Sequence, residues 1–196
     1  TELAEALRVA CRHAVASDAR LVVIRAAGPV FCAGADLKER QGMTDDAVRA
    51  RRLKSFAAYD ALESLPMPSL AVVEGPAIGS GVEIAAACDL IVATPAASFR
   101  TPEALWGTVG ATQRLPRILG KRLAKDLMFT GRTLTAAEAQ AAGLVARLIA
   151  PDALDATLAE ITAAILKAPP AAMALAKRCI DEGLERDPRG ALATEL

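Results

Sequence analysis

Glu83 lies in a run of small and apolar residues, Gly79-Ser80-Gly81-Val82-Glu83-Ile84-Ala85-Ala86-Ala87, and twenty positions later Glu103 follows Pro102. A carboxylate among apolar neighbours costs several kcal/mol unless it is paired or put to use. A second feature belongs to the backbone. Cys32-Ala33-Gly34-Ala35-Asp36 is small enough to let a ligand reach the main chain, and Gly79-Ser80-Gly81 opens a helix whose first N–H groups are free. Two N–H groups converging on one oxygen would form an oxyanion hole, worth about 3 kcal/mol per donor. A structural competitor stands beside this chemistry. Ser80-Gly81-Val82-Glu83 also fits the S-x-x-E capping box, in which Glu83 only caps its own helix, and Glu103 by itself reads as an exposed loop acid.

Other chemistries lack their residues. The single histidine, His13, lies in the first helix, away from any strand-end loop, so a Ser-His-Asp relay has no base. Ile78 and Val82 stand where a nucleophile elbow around Ser80 needs glycines, and the segment matches neither G-x-G-x-x-G nor a P-loop. Cys11, Cys32, Cys88 and Cys179 form no C-x-x-C pair, which argues against a zinc site and for a reducing compartment. With 23 Lys+Arg against 23 Asp+Glu there is no cationic excess for nucleic acid. The clusters Arg49, Arg51, Arg52, Lys54 and Arg114, Arg117, Lys121, Arg122, Lys125 read as solvated helix faces. No apolar run reaches the roughly 18 residues of a membrane span, and no secretory signal is visible. The expected setting is the cytoplasm, or an organelle matrix for a chain trimmed before Thr1.

Elements that could position these groups follow from periodicity. At 196 residues one domain is expected. A helix is expected over 2–16, and Leu21-Val22-Val23-Ile24-Arg25-Ala26 reads as a strand covered on both faces. Thr44 caps a helix to about Ser64 with Val48, Phe56 and Tyr59 inward, and buried strands follow in SLAVVEG and DLIVAT. The stretch from Ala97 to Gly110 reads as a loop around Pro102. Helices are expected at about 112–119, 121–130, 135–142, 152–167 and 170–184, with a short strand from Gly143. Strands alternating with helices, followed by a helical third, make the fold class α/β.

FCAGADLKER (Phe31 to Arg40), EGPAIGSGVEIAAACDLIVAT (Glu74 to Thr94), TPEALWGT (Thr101 to Thr108), TQRLPRILGKRLAKDLMFTGR (Thr112 to Arg132) and AAEAQAAGLV (Ala136 to Val145) resemble, in order, the enoyl-CoA hydratase/isomerase, or crotonase, family. The likeness is greatest to its enoyl-CoA and methylglutaconyl-CoA hydratases. It implies an α/β crotonase-like spiral of ββα units, with a core over 1–145 and a C-terminal helical trimerisation region over 146–196. It implies that the N–H groups of Ala35 and Ser80 hold a thioester oxygen. Ser80 replaces the glycine usual there, but only its backbone is needed. Ala33, Ala35, Asp36, Leu37, Lys38 and Gly79 would border the coenzyme A groove. Glu83 would deprotonate water and Glu103 would protonate C2 of a 2-enoyl-CoA. The implied partners are an acyl-CoA thioester and further copies of the chain as a homotrimer or hexamer. No metal and no cofactor beyond the substrate's own coenzyme A are implied, and neither nucleic acid nor membrane.

Gly107-Thr108-Val109-Gly110-Ala111-Thr112-Gln113-Arg114 is three residues shorter than the family's G-T-I-P-G-x-G-G-T-Q-R and lacks its Gly-Gly, beside the expected position of Glu103. The family's first strands, its N-A-L segment and its last helices have no counterpart in the residues present. They are expected to complete the groove and the trimer contacts. Under the same resemblance the alternatives are an enoyl-CoA isomerase, which needs one carboxylate, and a non-catalytic acyl-CoA-binding or RNA-binding relative.

Overall fold

Ser69–Val73 is buried on both sides, which is why it reads as an unbroken apolar run, whereas Val22–Arg25, expected to be covered on both faces, alternates and leaves Val23 46% exposed at the edge of the sheet. In the computed structural model, which describes residues 2–36 and 38–195, β1 (Val22–Arg25), β2 (Ser69–Val73), β4 (Leu90–Ala93) and β7 (Arg147–Leu148) form a parallel sheet in the order β1-β2-β4-β7. Every residue of β2 is buried, and it pairs with β1 on one edge and β4 on the other. α1 (Glu2–Val15) precedes β1 and α2 (Asp45–Glu63) runs between β1 and β2, and the two helices pack together; Thr44 caps α2 by accepting the Ala47 N–H.

A second, smaller sheet sits at the ends of the first, with β3 (Pro76–Ile78) parallel to β5 (Ser98–Arg100) and β5 antiparallel to β6 (Leu134–Thr135). Its strands are two or three residues long, too short for alternation to show. The stretch expected as a loop therefore contains β5 and a 3-10 turn over Glu103–Trp106. The ββα unit is visible in β2, β3 and α3 (Ser80–Ala86). After β4 and β5 come α4 (Arg114–Leu119) and α5 (Lys121–Thr130), then α6 (Ala136–Ala141), and the C-terminal helices α7 (Leu154–Lys167), α8 (Pro170–Gly183) and α9 (Pro188–Leu192). The main core joins Tyr59, Leu62, Val73, Val82, Phe99 and Leu115; a smaller one under α7 joins Leu70, Val92 and Ile161.

Two further expected details differ. Phe56 is 40% exposed and Val48 half-buried, because their side of α2 faces a pocket rather than the core. The strand expected from Gly143 is confined to Arg147–Leu148, since Leu144 and Val145 close the end of α6 by donating to the Ala139 carbonyl. Among the described residues no single helix is long and apolar enough to cross a membrane.

Candidate active site

β3 explains how two loops distant in sequence come to adjoin. The Pro76 carbonyl accepts from the N–H groups of Phe31 and Cys32, at 3.0 and 3.3 Å, and Ile78 N–H donates to the Cys32 carbonyl at 2.9 Å. The loop after β1 is thereby laid along the strand that leads into Gly79. Two glycines permit the close approach. A Cβ at Gly34, where φ is +91°, would stand 2.7 Å from the Ile78 oxygen and 3.6 Å from the Ser80 nitrogen. A Cβ at Gly81 would stand 2.4 Å from the Cys32 oxygen. Ser80 is the first residue of α3, so its N–H has no intrahelical acceptor.

One pocket gathers the groups singled out in the sequence. Ala33, Gly34, Ala35, Asp36, Gly79, Ser80, Glu83 and Glu103 all line it, with the Glu103 carboxyl against Gly79. Lys38 is outside the lining; its N–H donates to Asp36 Oδ1 at 2.8 Å. Leu37 lies outside the described residues.

The capping-box reading of Glu83 fails. The cap position is Gly79, with no side-chain hydrogen bond, and Glu83 is only 6% exposed. Its Oε1 instead accepts the N–H of Ala111, and its Oε2 lies 3.4 Å from the Arg114 guanidinium. Ala111 reaches Glu83 through a left-handed backbone, φ +53°, which costs a residue with a side chain about 1 kcal/mol. The shortened segment after Gly107 is thus used to aim a backbone donor at the carboxylate.

Arg114 corrects a further expectation, that its cluster is a solvated face. Its side chain is 17% exposed, bridges to Glu63 and, at 3.2 Å, to Asp60 at the end of α2, and lies 5.9 Å from the centroid of the Tyr59 ring. Burial alone would lower its proton affinity, but Glu63, Glu83 and Asp60 more than offset this and raise it. Arg51 and Arg52 likewise turn into the pocket lining, whereas Arg117, Lys121, Arg122 and Lys125 are exposed as expected. Tyr59, buried beside Ser80 and Glu83, has its phenol pushed upward, first by burial and next by the Glu83 charge, against a hydrogen bond from Ser80.

Glu103 is not an exposed loop acid. Its carboxyl lies between Gly79 and Gly110: a Cβ built on either would stand 2.7 Å from Oε1. Its Oε2 is buried and has no hydrogen-bond partner among the described residues. Burial, with the Glu83 charge adding to it, holds its pKa above the ordinary carboxylate range. The site therefore contains one carboxylate bound by two donors and one that favours its proton.

The family model described as Enoyl-CoA hydratase/isomerase matches residues 1–196. YngF of Bacillus subtilis (strain 168), classed by name with the enoyl-CoA hydratases/isomerases, is 43% identical over 185 residues, which are 91% of this chain and 70% of that one. The human mitochondrial methylglutaconyl-CoA hydratase is 38% identical over 184 residues, 90% of this chain and 54% of its own length. The chain thus spans between about half and 70% of these curated relatives. Among solved structures, an enoyl-CoA hydratase from Bacillus anthracis superposes with a TM-score of 0.93 at 36% identity, over 99% of this chain and 77% of that one.

Proposed function

The chain belongs to the enoyl-CoA hydratase/isomerase family, and from that premise we propose that it is an enoyl-CoA hydratase, a hydro-lyase adding water across the 2,3 double bond of a 2-enoyl-CoA. The observation that carries this reading is the unequal pair in one pocket. Glu83, held by the Ala111 N–H and Arg114, suits an ionised base; Glu103, buried without a donor to Oε2, suits an acid that keeps its proton.

Glu83 takes a proton from water as its oxygen bonds to C3. The double-bond electrons move through C2 onto the thioester oxygen, where the N–H groups of Ala35 and Ser80 stabilise the enolate as it forms. Glu103 then gives its proton to C2. Exchange of protons between the pair and bulk water restores the starting state. Ala33, Asp36, Leu37, Lys38 and Gly79 border the coenzyme A moiety, which belongs to the substrate; no further cofactor is required. In this reading the protein works in the cytoplasm or an organelle matrix. It assembles as a homotrimer or hexamer through exposed apolar residues such as Phe129, Ile180 and Leu184; light scattering that found only monomer would overturn the assembly.

Loss of enoyl-thioester ultraviolet absorbance measures the reaction. Glu83→Gln and Glu103→Gln are each expected to lower kcat by about 10²- to 10⁴-fold, the contribution of one positioned proton-transfer group. Unchanged turnover in both variants sinks the mechanism. Double-bond migration that survives either single change would establish an isomerase instead.

A further inference from the structure

We propose that the hydroxyl of Ser80 is a third donor to the thioester oxygen, beside the N–H groups of Ala35 and of Ser80 itself, and that the Tyr59 phenol positions it. The inference rests on the hydratase reading of the site and adds a catalytic side chain where a glycine would offer none.

Ser80 opens α3 directly after Gly79, so its N–H stands outside the helix ladder and its side chain leaves the same Cα. In either gauche rotamer a serine Oγ lies about 3 Å from its own nitrogen, so one acceptor oxygen can meet both donors. Gly34 keeps this corner open, since a Cβ there would stand 3.6 Å from the Ser80 nitrogen. Four hydroxyl residues line the pocket, Ser55, Tyr59, Ser80 and Thr108. Of these, Ser80 alone carries its hydroxyl on a residue whose N–H is assigned to the thioester oxygen. Its proton has few rivals for a destination. Phe56, Trp106 and Val109 in the lining present no side-chain lone pair to take it, and Glu83, one turn further in, is engaged by the Ala111 N–H and Arg114.

Tyr59 supplies the orientation. α2 and α3 pack together, and the hydroxyls of Ser80 and Ser55 both bear on the Tyr59 phenol, Ser80 the more strongly. Ser55 Oγ donates its own proton to the Arg51 carbonyl one turn back, at 3.4 Å. The Tyr59 ring is fixed by burial, at 4% exposure, and by the Arg114 guanidinium 5.9 Å from its centroid. The same burial, with the Glu83 charge, keeps the phenol neutral, so it has a proton to offer. A phenol that donates to Ser80 Oγ leaves the Ser80 proton free for the thioester oxygen, and two bonds in a chain polarise each other. Charge gathers on that oxygen only as the enolate forms, so the chain is worth more in the transition state than in the bound substrate. Both protons stay on their oxygens throughout the cycle.

Hydration of 2-butenoyl-CoA tests this in the full chain as wild type, Ser80→Ala, Tyr59→Phe and the double variant. Ser80→Ala keeps the backbone N–H and is expected to lower kcat about 10- to 100-fold while KM moves less than about twofold. Tyr59→Phe keeps the ring and should lower kcat about three- to tenfold, a loss that should vanish in the Ser80→Ala background because the phenol acts through the hydroxyl. Wild-type kcat in Ser80→Ala would overturn the proposal. Losses that multiply in the double variant would overturn the assignment of Tyr59, whose effect would then run through Glu83 or packing. A second readout needs no turnover. Acetoacetyl-CoA, a β-keto thioester that ionises to an enolate, should show a stronger enolate ultraviolet band when bound to wild type than to Ser80→Ala, and equal bands at saturation would likewise overturn the third donor. A wild type that binds acetoacetyl-CoA yet hydrates no 2-enoyl-CoA would overturn the hydratase reading, and the enolate comparison would still decide the role of the hydroxyl.

Discussion

Removing the guanidinium of Arg114 should both loosen the fold and let the Glu83 carboxylate drift from the position in which it is held. At 3.4 Å and an effective dielectric near 20, the attraction between the two charges is about 5 kcal/mol. Desolvation offsets part of this, but deleting one partner of a buried pair typically costs about 3 to 5 kcal/mol, because the other charge is left unmatched. Asp60 and Glu63, more exposed, contribute about 1 kcal/mol or less each. We therefore expect Arg114→Met to lose about 3 kcal/mol in urea unfolding. kcat/KM for 2-enoyl-CoA hydration should fall about a hundredfold as the carboxylate loses the donor that fixes its Oε2, and Arg114→Lys should recover part of the loss. An Arg114→Met protein that unfolds in urea as wild type does and keeps wild-type kcat/KM would refute the reasoning: either Glu83 is not the base, or its carboxylate is held in place by the Ala111 N–H alone.

Glu103→Gln should stabilise the fold as pH rises. The folded-state pKa lies above the unfolded value, so the stability tied to the Glu103 proton is fully present below the ordinary carboxylate range and is lost as pH climbs through the raised value. Thermal melts should show the variant level with wild type in acid and higher at neutral pH; a gain confined to acid would contradict the assignment. Gly110→Ala places a methyl against the Glu103 carboxyl, 2.7 Å from Oε1, and the flexible side chain yields rather than the backbone. A displacement of about 1 Å should cost roughly a hundredfold in kcat with little change in the melting temperature; full activity would count against Glu103 as the acid. Cys88 is buried and its thiol is pushed up to about 12 by burial, with the Asp89 charge adding to it. It should resist alkylation at pH 8 until the protein unfolds, as mass spectrometry of labelled peptides would show.

The long elements were legible because their patterns have room to repeat: Thr44 before a nineteen-residue helix, and the fully buried SLAVV strand. The second sheet was not, since strands of two or three residues carry no period. Glu83 and Glu103 stood out by chemistry and spacing, but whether Glu83 capped or served a pocket was decided by long-range contacts, from residues 28 and 31 positions further along. Arg114 was overlooked because its cationic neighbours do form a surface. A signal was nonetheless present, in the pair Asp60 and Glu63 spaced to face one helix side, which a buried arginine requires. Likewise Val48, Arg52 and Phe56 repeat at helical spacing as a core face does, and nothing local distinguishes a core from a cavity.

The three-residue strand β3 carries a consequence for how this protein can vary. Because the Cys32 loop is laced to it by main-chain bonds and Gly79 continues from it, the separation of the two proposed oxygen-binding amides is inherited from peptide geometry. Side chains that shape the acyl wall, such as Phe56, Trp106 and Val109, hang from other segments. Selection could therefore exchange one tail preference for another, residue by residue, while the amide spacing stays put, so that selectivity drifts on a scaffold whose reactive centre does not have to be rediscovered.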